Sequence, residues 1–141
     1  MSTPELDDYL RAARTCRVAT VGPDGPHVAP LWFAWLDGCL WLYSIVRSQR
    51  WTDLTRDPRV GAVVDDGHDY GQLRGVEISG TARVVGEVPR TGEPSDELAE
   101  PERAFARKYQ GYDHMDLDGR HGWLRVSPNK IASWDFRKLG S

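Results

Sequence analysis

At 141 residues and 40% hydrophobic content, the chain is sized for a single domain, residues 1–141, with a small core. A formal net charge of -3 and a pI near 5.8 lack the positive balance of a nucleic-acid binder, and no apolar run of about 18 residues is present to span a membrane. The acidic, polar start MSTPELDDYL does not read as a secretory leader. Cys16 and Cys39 sit in apolar runs without zinc-type spacing, so a cytoplasmic protein with buried, reduced thiols is expected.

In chain order, Ser2 and Glu5 form a capping-box pair with Pro4 in the first turn, which predicts a helix to about Ala13 with Leu6, Tyr9, Leu10 and Ala13 on one face. Cys16 to Val21 reads as a short strand closed by the turn Gly22-Pro23-Asp24-Gly25. Pro26 to Val46 reads as two long strands around Asp37-Gly38, and a helix follows to about Leu54, stopped by Asp57-Pro58. Arg59 to Val64 is a strand, Asp65 to Gly71 a polar loop, and Gln72 to Val85 a long strand in which Gly75 and Gly80 mark bends or bulges. Gly86 to Glu93 is a linker. Ser95 can cap a helix from Asp96 to Tyr109, with Pro101 as a potential break. Gly111 to Gly122 is polar and irregular, and Trp123 to Val126 and Ile131 to Phe136 are strands around a Ser127-Pro128-Asn129 turn. About seven mostly antiparallel strands in so small a domain predict a closed or partly closed barrel, which removes exposed sheet edges.

The chemistry concentrates in Pro26 to Leu54. A two-residue Asp37-Gly38 loop pairs Leu36 with Cys39, hence Trp35 with Leu40, Phe33 with Leu42, Leu31 with Ser44 and Ala29 with Val46. One face of that ribbon becomes small and polar at its far end, where His27, Ala29 and Ser44 lie. There Arg47, Ser48, Gln49 and Arg50 open a helix with Ser48 as N-cap. Free backbone N–H groups, the positive helix end, a hydroxyl and two guanidiniums suit an anion, phosphate above all. A capping serine beside solvated arginines gives the same pattern.

Here the chain resembles the pyridoxamine 5'-phosphate oxidase-like flavin-binding split barrels. The resemblance lies in GPDGPHVAPLWFAWLDGCLWLYS (22–44), SQRWTDL (48–54), RDPRVGAVV (56–64) and LRGVEISGTARVV (73–85). The ending SPNKIASWDFRKL (127–139) is similar to the actinobacterial branch that uses the deazaflavin F420. It implies a mainly β fold, a six- to seven-stranded antiparallel split β-barrel with two or three peripheral helices. It further implies cofactor phosphate on Ser48 and Arg50 with Arg47 and Gln49 adjacent. The ring would lie along His27, Ala29, Pro30, Leu31, Tyr43, Ser44 and Ile45, and Trp134 would approach from either subunit of a homodimer with sites at its interface. The usual lysine of the helix start is Arg50 here, and the position often Asn is Asp53.

The resulting expectation is an oxidoreductase that passes hydride from reduced F420 to a small electrophilic substrate. FMN in the same fold, or a non-catalytic flavin or haem carrier, are the alternatives. No catalytic side chain is demanded by hydride transfer, and Tyr43, His27 or water are candidate proton donors. Asp113, His114, Asp116, Asp118 and His121 lack the spacing of a calcium loop and read as a solvated loop, as do Asp65, Asp66, His68 and Asp69.

Overall fold

The computed structural model describes residues 1–140. Helix α1 (Thr3–Ala12) starts on the predicted box: Ser2 Oγ accepts from the Glu5 amide at 3.3 Å and Glu5 Oε1 accepts from the Ser2 amide at 3.1 Å. Seven strands follow, β1 (Cys16–Gly22), β2 (Gly25–Leu31), β3 (Phe33–Leu36), β4 (Cys39–Ile45), β5 (Arg59–Asp66), β6 (Arg74–Val85) and β7 (His121–Asp135). Helix α2 (Gln49–Arg56) lies between β4 and β5, and α3 (Asp96–Tyr109) between β6 and β7. All pairings are antiparallel, in the order β2-β1-β5-β6-β7-β4-β3. The first and last strands of that order are consecutive in the chain, joined through Trp32 alone. The sheet therefore curls back on itself as a half-closed, split barrel, the fold class expected.

That junction corrects one expectation. Pro26 to Leu36 is not one long strand but β2 and β3, broken at Trp32. The hairpin register holds near the turn, where Phe33 faces Leu42 and Trp35 faces Leu40. Asp37 (φ 54°) and Gly38 (φ 69°) supply the left-handed conformations of a type I′ turn. Beyond Trp32 the partner changes: Leu31 faces Cys16 and Ala29 faces Val18 on β1, not Ser44 and Val46. The tight Gly22 to Gly25 connection makes β1 the nearer partner.

A second correction concerns the end of the chain. Trp123–Val126 and Ile131–Phe136 are not two strands but parts of β7, paired with β6 from Val85↔Trp123 to Arg74↔Asp135. Ser127-Pro128-Asn129 is absorbed as a register shift opposite Ser79 and Gly80. A side chain at Gly80 would collide with the Ser127 carbonyl. Pro101 does not break α3. Its ring is buried, with Leu98, Phe105 and Ala106, on the side of the helix that meets the sheet.

Two apolar layers hold the fold. Val18, Phe33, Leu40, Leu42, Val60, Val76, Ile78, Leu124 and Val126 fill the barrel, joined by Leu10 of α1 and Trp51 and Leu54 of α2. On the outer side, Ala34, Trp41, Val85 and Trp123 are covered by Leu98 and Phe105 of α3. Among the described residues no helix covers the outer face of β2, β1 and β5, and Val28 there is 66% exposed.

Candidate cofactor site

The turn from β4 into α2 is built by backbone bonds. The Val46 amide donates to the Arg120 carbonyl (3.0 Å) and the Ser48 amide to the Ile45 carbonyl (3.1 Å). Ser48 is the N-cap, as expected. Its Oγ accepts from the Trp51 amide (3.2 Å) and donates to the Ile45 carbonyl (2.7 Å). The Trp51 indole abuts Gly122 of β7, where a Cβ would come within 2.7 Å of the ring. That close approach seats α2 against the barrel. No acidic residue occupies its first turn, so the positive helix end is not neutralised there.

Arg50 extends from this first turn toward the inner face of β4. It is only 8% exposed, and its Nε donates to Ser44 Oγ at 3.1 Å. Ser44 is fully buried and lies 3.4 Å from Ser48 Oγ. Among the described residues no carboxylate pairs with the guanidinium. Burial lowers its pKa, offset in part by the Cys16 thiol. A buried cation without a counter-ion is costly, and it favours whatever anion can reach it. Asp53 does not serve. Its fully buried carboxylate accepts from Thr20 Oγ1 (2.8 Å) and Gln49 Nε2 (2.6 Å) and meets Arg56 at 3.4 Å. Burial alone would raise its pKa, but these partners together hold it below the ordinary carboxylate range. The negative charge expected beside the anion is thus turned away from the helix start.

The remaining expected residues divide. Arg47 is exposed on the turn, and Gln49 spends its amide on Asp53. His27, Ala29 and Leu31 alternate on the half-buried side of β2, the side that faces Thr20, Val18 and Cys16. His27 Nδ1 is buried and has no hydrogen-bond partner among the described residues. Pro30 lies on the opposite, exposed side. Helix α2 packs on β1, β2 and β4, and so brings the β2 residues and Ser44 to one end of the barrel. Trp134 is not brought there within the chain. It crosses Gly75, twelve positions along β7 from Gly122, or about 40 Å of strand. The small face imagined for a flat ring is also not open, because Ser44 is sealed beneath Arg50 and the barrel core.

A largely buried aromatic cluster lies on the outer side of β4, beneath α3. Tyr43 stacks on His121 (4.5 Å between centroids, 10° between planes) and abuts Phe105 and Trp123. Trp32, 50% exposed, stacks on Tyr109 (4.4 Å, 4°). Asp118 and His121 were expected in a solvated loop, but His121 begins β7 opposite Ile45, with Nδ1 2.7 Å from Asp118 Oδ2. No spacing rule could reveal this, since the placement depends on the β4–β7 pairing. Sequence reasoning also missed Arg90, buried between Glu87 (2.7 Å) and Glu102 (2.8 Å) in what read as a linker.

A cleft of about 680 Å³ lies elsewhere, under α1. Of its four arginines, Arg74 is held by Asp66 (2.9 Å), Arg137 by Asp135 (2.6 Å) and Arg17 by Asp65 (3.7 Å), while the exposed Arg14 donates to the Lys108 carbonyl (3.0 Å). Three of the four are compensated and the fourth is solvated, which makes the cleft a poorer anion site than the α2 turn, where Arg50 is buried and has no carboxylate partner among the described residues. Among the described residues no cluster of three or more His, Cys, Asp or Glu is arranged for a metal ion, and no helix is long and apolar enough to cross a membrane.

A family model described as pyridoxamine 5'-phosphate oxidase matches residues 2–135. A conserved hypothetical protein of Mycobacterium tuberculosis is 34% identical, covered over 100% of this chain and 89% of its own, with a TM-score of 0.83. The FAD binding protein of Mycobacterium smegmatis is 23% identical over 97% of this chain and 98% of its own, with a TM-score of 0.70. An F420 reductase is 22% identical over 89% and 94%, with a TM-score of 0.65. The latter two share the fold. No curated protein matches the sequence.

Proposed function

Because the chain belongs to the pyridoxamine 5'-phosphate oxidase family, we propose that it is an oxidoreductase holding the phosphate of F420 at the Ser48–Arg50 turn and reducing a small electrophilic substrate. The observation that carries this is Arg50, a buried guanidinium without a carboxylate partner among the described residues, beside an uncompensated helix N-terminus. When bound, the cofactor supplies the hydride. The chain's own work is placement. Ser48 caps and orients the turn, the Gln49 and Arg50 amides donate to phosphate oxygens, the Arg50 guanidinium pairs with them, and Arg47 adds positive charge from the exposed side. The barrel core behind Ser44 keeps water from the buried side of the pair.

The choice of F420 rests on the likeness of residues 127–139 to the deazaflavin-using branch and on the F420 reductase among the structural relatives. FMN is the second reading, favoured by the fold shared with an FAD binding protein and by a phosphate chemistry that does not distinguish the two. A carrier without turnover uses the same site. Homodimerisation belongs to the proposal: the uncovered sheet face carries a groove of about 430 Å³ with Ala19, Val21, Gly61 and Ser79 along it, small enough for a second sheet to approach. The test is a side-by-side titration of the purified protein with F420, FMN and haem. Quenching of F420 fluorescence with saturation at one equivalent per chain is expected, and saturation by haem alone would overturn the proposal.

A further inference from the structure

We infer that the cleft under α1 is a second ligand site, which takes a small monocarboxylate with a compact apolar body and seats its carboxylate on Arg14. The inference stands apart from the cofactor reading. No residue of α2 lines the cleft, whose walls come from α1, the start of β1, the end of β5, the start of β6 and the chain around the end of β7. At about 680 Å³ it has the size of a small-molecule pocket.

The room comes from the end of α1. Ala12 closes the helix and Ala13 caps it in extended backbone (φ -67°, ψ 145°), so the chain turns toward β1 without a large side chain at that corner. Both alanines face the cleft, with the Tyr9 ring and Val64 as further apolar wall. Tyr9 is fixed by its hydroxyl, which donates to Asp66 Oδ1 at 2.9 Å. These surfaces can receive a ring or a short chain.

Charge decides the head group. Arg17, Arg74 and Arg137 face Asp65, Asp66 and Asp135. The remaining wall carboxylates have partners outside the cleft: Lys138 lies 2.8 Å from Glu5, and Arg11 lies 3.9 Å from the exposed Asp8. Arg14 has no carboxylate partner among the described residues, so after pairing the walls keep one positive charge, and it is there. Arg14 is also oriented. Its Nη1 donates to the Lys108 carbonyl in the last turn of α3 (3.0 Å), and its guanidinium carbon stands 4.9 Å from the Tyr109 ring centroid. The other N–H groups of the fork remain for the two oxygens of a carboxylate. Lys108 adds a second cation, 5.3 Å from the same ring. The Leu10 (3.4 Å) and Phe33 (3.3 Å) carbonyls hold its ammonium, and among the described residues it has no carboxylate. A phosphate dianion fits worse, because Asp65, Asp66 and Asp135 stand on the same walls. A single carboxylate charge matches the one uncompensated guanidinium.

The test is calorimetric titration of the intact protein with 2-naphthoate and with its neutral analogue 2-naphthamide, together with amide NMR. Saturable binding of 2-naphthoate is expected, with shifts at Ala12, Ala13 and Arg14 and none at Gln49 and Arg50. The amide should bind at least about tenfold more weakly. Arg14→Gln, which keeps a donor for the Lys108 carbonyl, should weaken 2-naphthoate about 10- to 100-fold and leave the amide unchanged. Ala12→Phe, at an exposed helix position, should abolish binding of both while melting within about 3 °C of wild type. Saturating F420 should not displace 2-naphthoate. No saturable binding, equal affinity for acid and amide, shifts confined to the α2 turn, or displacement by F420 would overturn the assignment, and none of these results bears on whether F420 itself binds.

Discussion

Replacing Arg50 with methionine should move stability and affinity in opposite directions. In the free protein the guanidinium is 8% exposed and makes one hydrogen bond, to Ser44 Oγ at 3.1 Å. Losing that bond costs about 1 kcal/mol. Against it stands relief of a buried, unpaired cation, whose desolvation costs on the order of several kcal/mol. Methionine fills a similar volume without charge. The free variant should thus melt no lower than wild type, and each kcal/mol of net relief should raise the midpoint by about 4 °C. With cofactor the balance reverses. Two charge-assisted hydrogen bonds to phosphate are worth roughly 1.5–3 kcal/mol each, so the variant should bind about 100- to 10,000-fold more weakly. The assay is thermal unfolding with and without F420, together with a fluorescence titration. A free variant that melts more than about 8 °C lower while keeping wild-type affinity would refute the reasoning, because the arginine would then be a structural group satisfied within the chain.

Other consequences are more local. Trp123→Ala removes a fully buried ring under α3 and its hydrogen bond to Glu102 at 3.0 Å. Urea unfolding should show a loss of about 3–5 kcal/mol, and a loss below about 1 kcal/mol contradicts the outer apolar layer. Gly38→Ala forces a side chain into φ 69° and should cost about 1–2 kcal/mol by the same assay, with no effect on cofactor affinity. Burial lowers the Lys108 pKa from the ordinary 10.5 to about 8, so the unfolded chain binds the extra proton between those values. Stability should therefore rise with pH from about 8 toward 10.5, and Lys108→Met should lose that rise. Hydrogen bonds from Thr91 Oγ1 and from the Thr91, Gly92 and Glu93 amides hold Glu87 near 2. The stability they give is present above about pH 4.5 and lost as pH falls toward 2. Glu87→Gln should speed amide exchange at residues 91–93 at neutral pH, and unchanged exchange would refute the clasp.

Local chemistry was legible in the sequence wherever it acts within a few residues. The Ser2–Glu5 box, the Asp37-Gly38 turn and the Ser48 cap all depend on neighbours in the chain. So does the alternation that puts Leu40 and Leu42 in the barrel. What failed to show was partner choice. Nothing in Pro26–Leu36 announces that β2 leaves β4 for β1 at Trp32, because either pairing buries the same alternating residues. Ser127-Pro128-Asn129 has turn composition, and only a long partner strand with Gly80 opposite makes it a bulge. At the candidate site, Ser48 and Arg50 were found because they share one helical turn. The contact of Asp118 and His121 on the outer side of β4 was not, since they reach Tyr43 only through the β4–β7 ladder. Asp53 was placed correctly in sequence but faces Thr20, a direction set by the packing of α2 on β1.

The most direct test of the account is a crystal structure of the protein with F420 bound. The account predicts a cofactor phosphate oxygen within about 3 Å of an Arg50 Nη and of a first-turn amide of α2. A phosphate seated instead in the cleft under α1, among Arg17, Arg74 and Arg137, with Arg50 still unpaired, would contradict it.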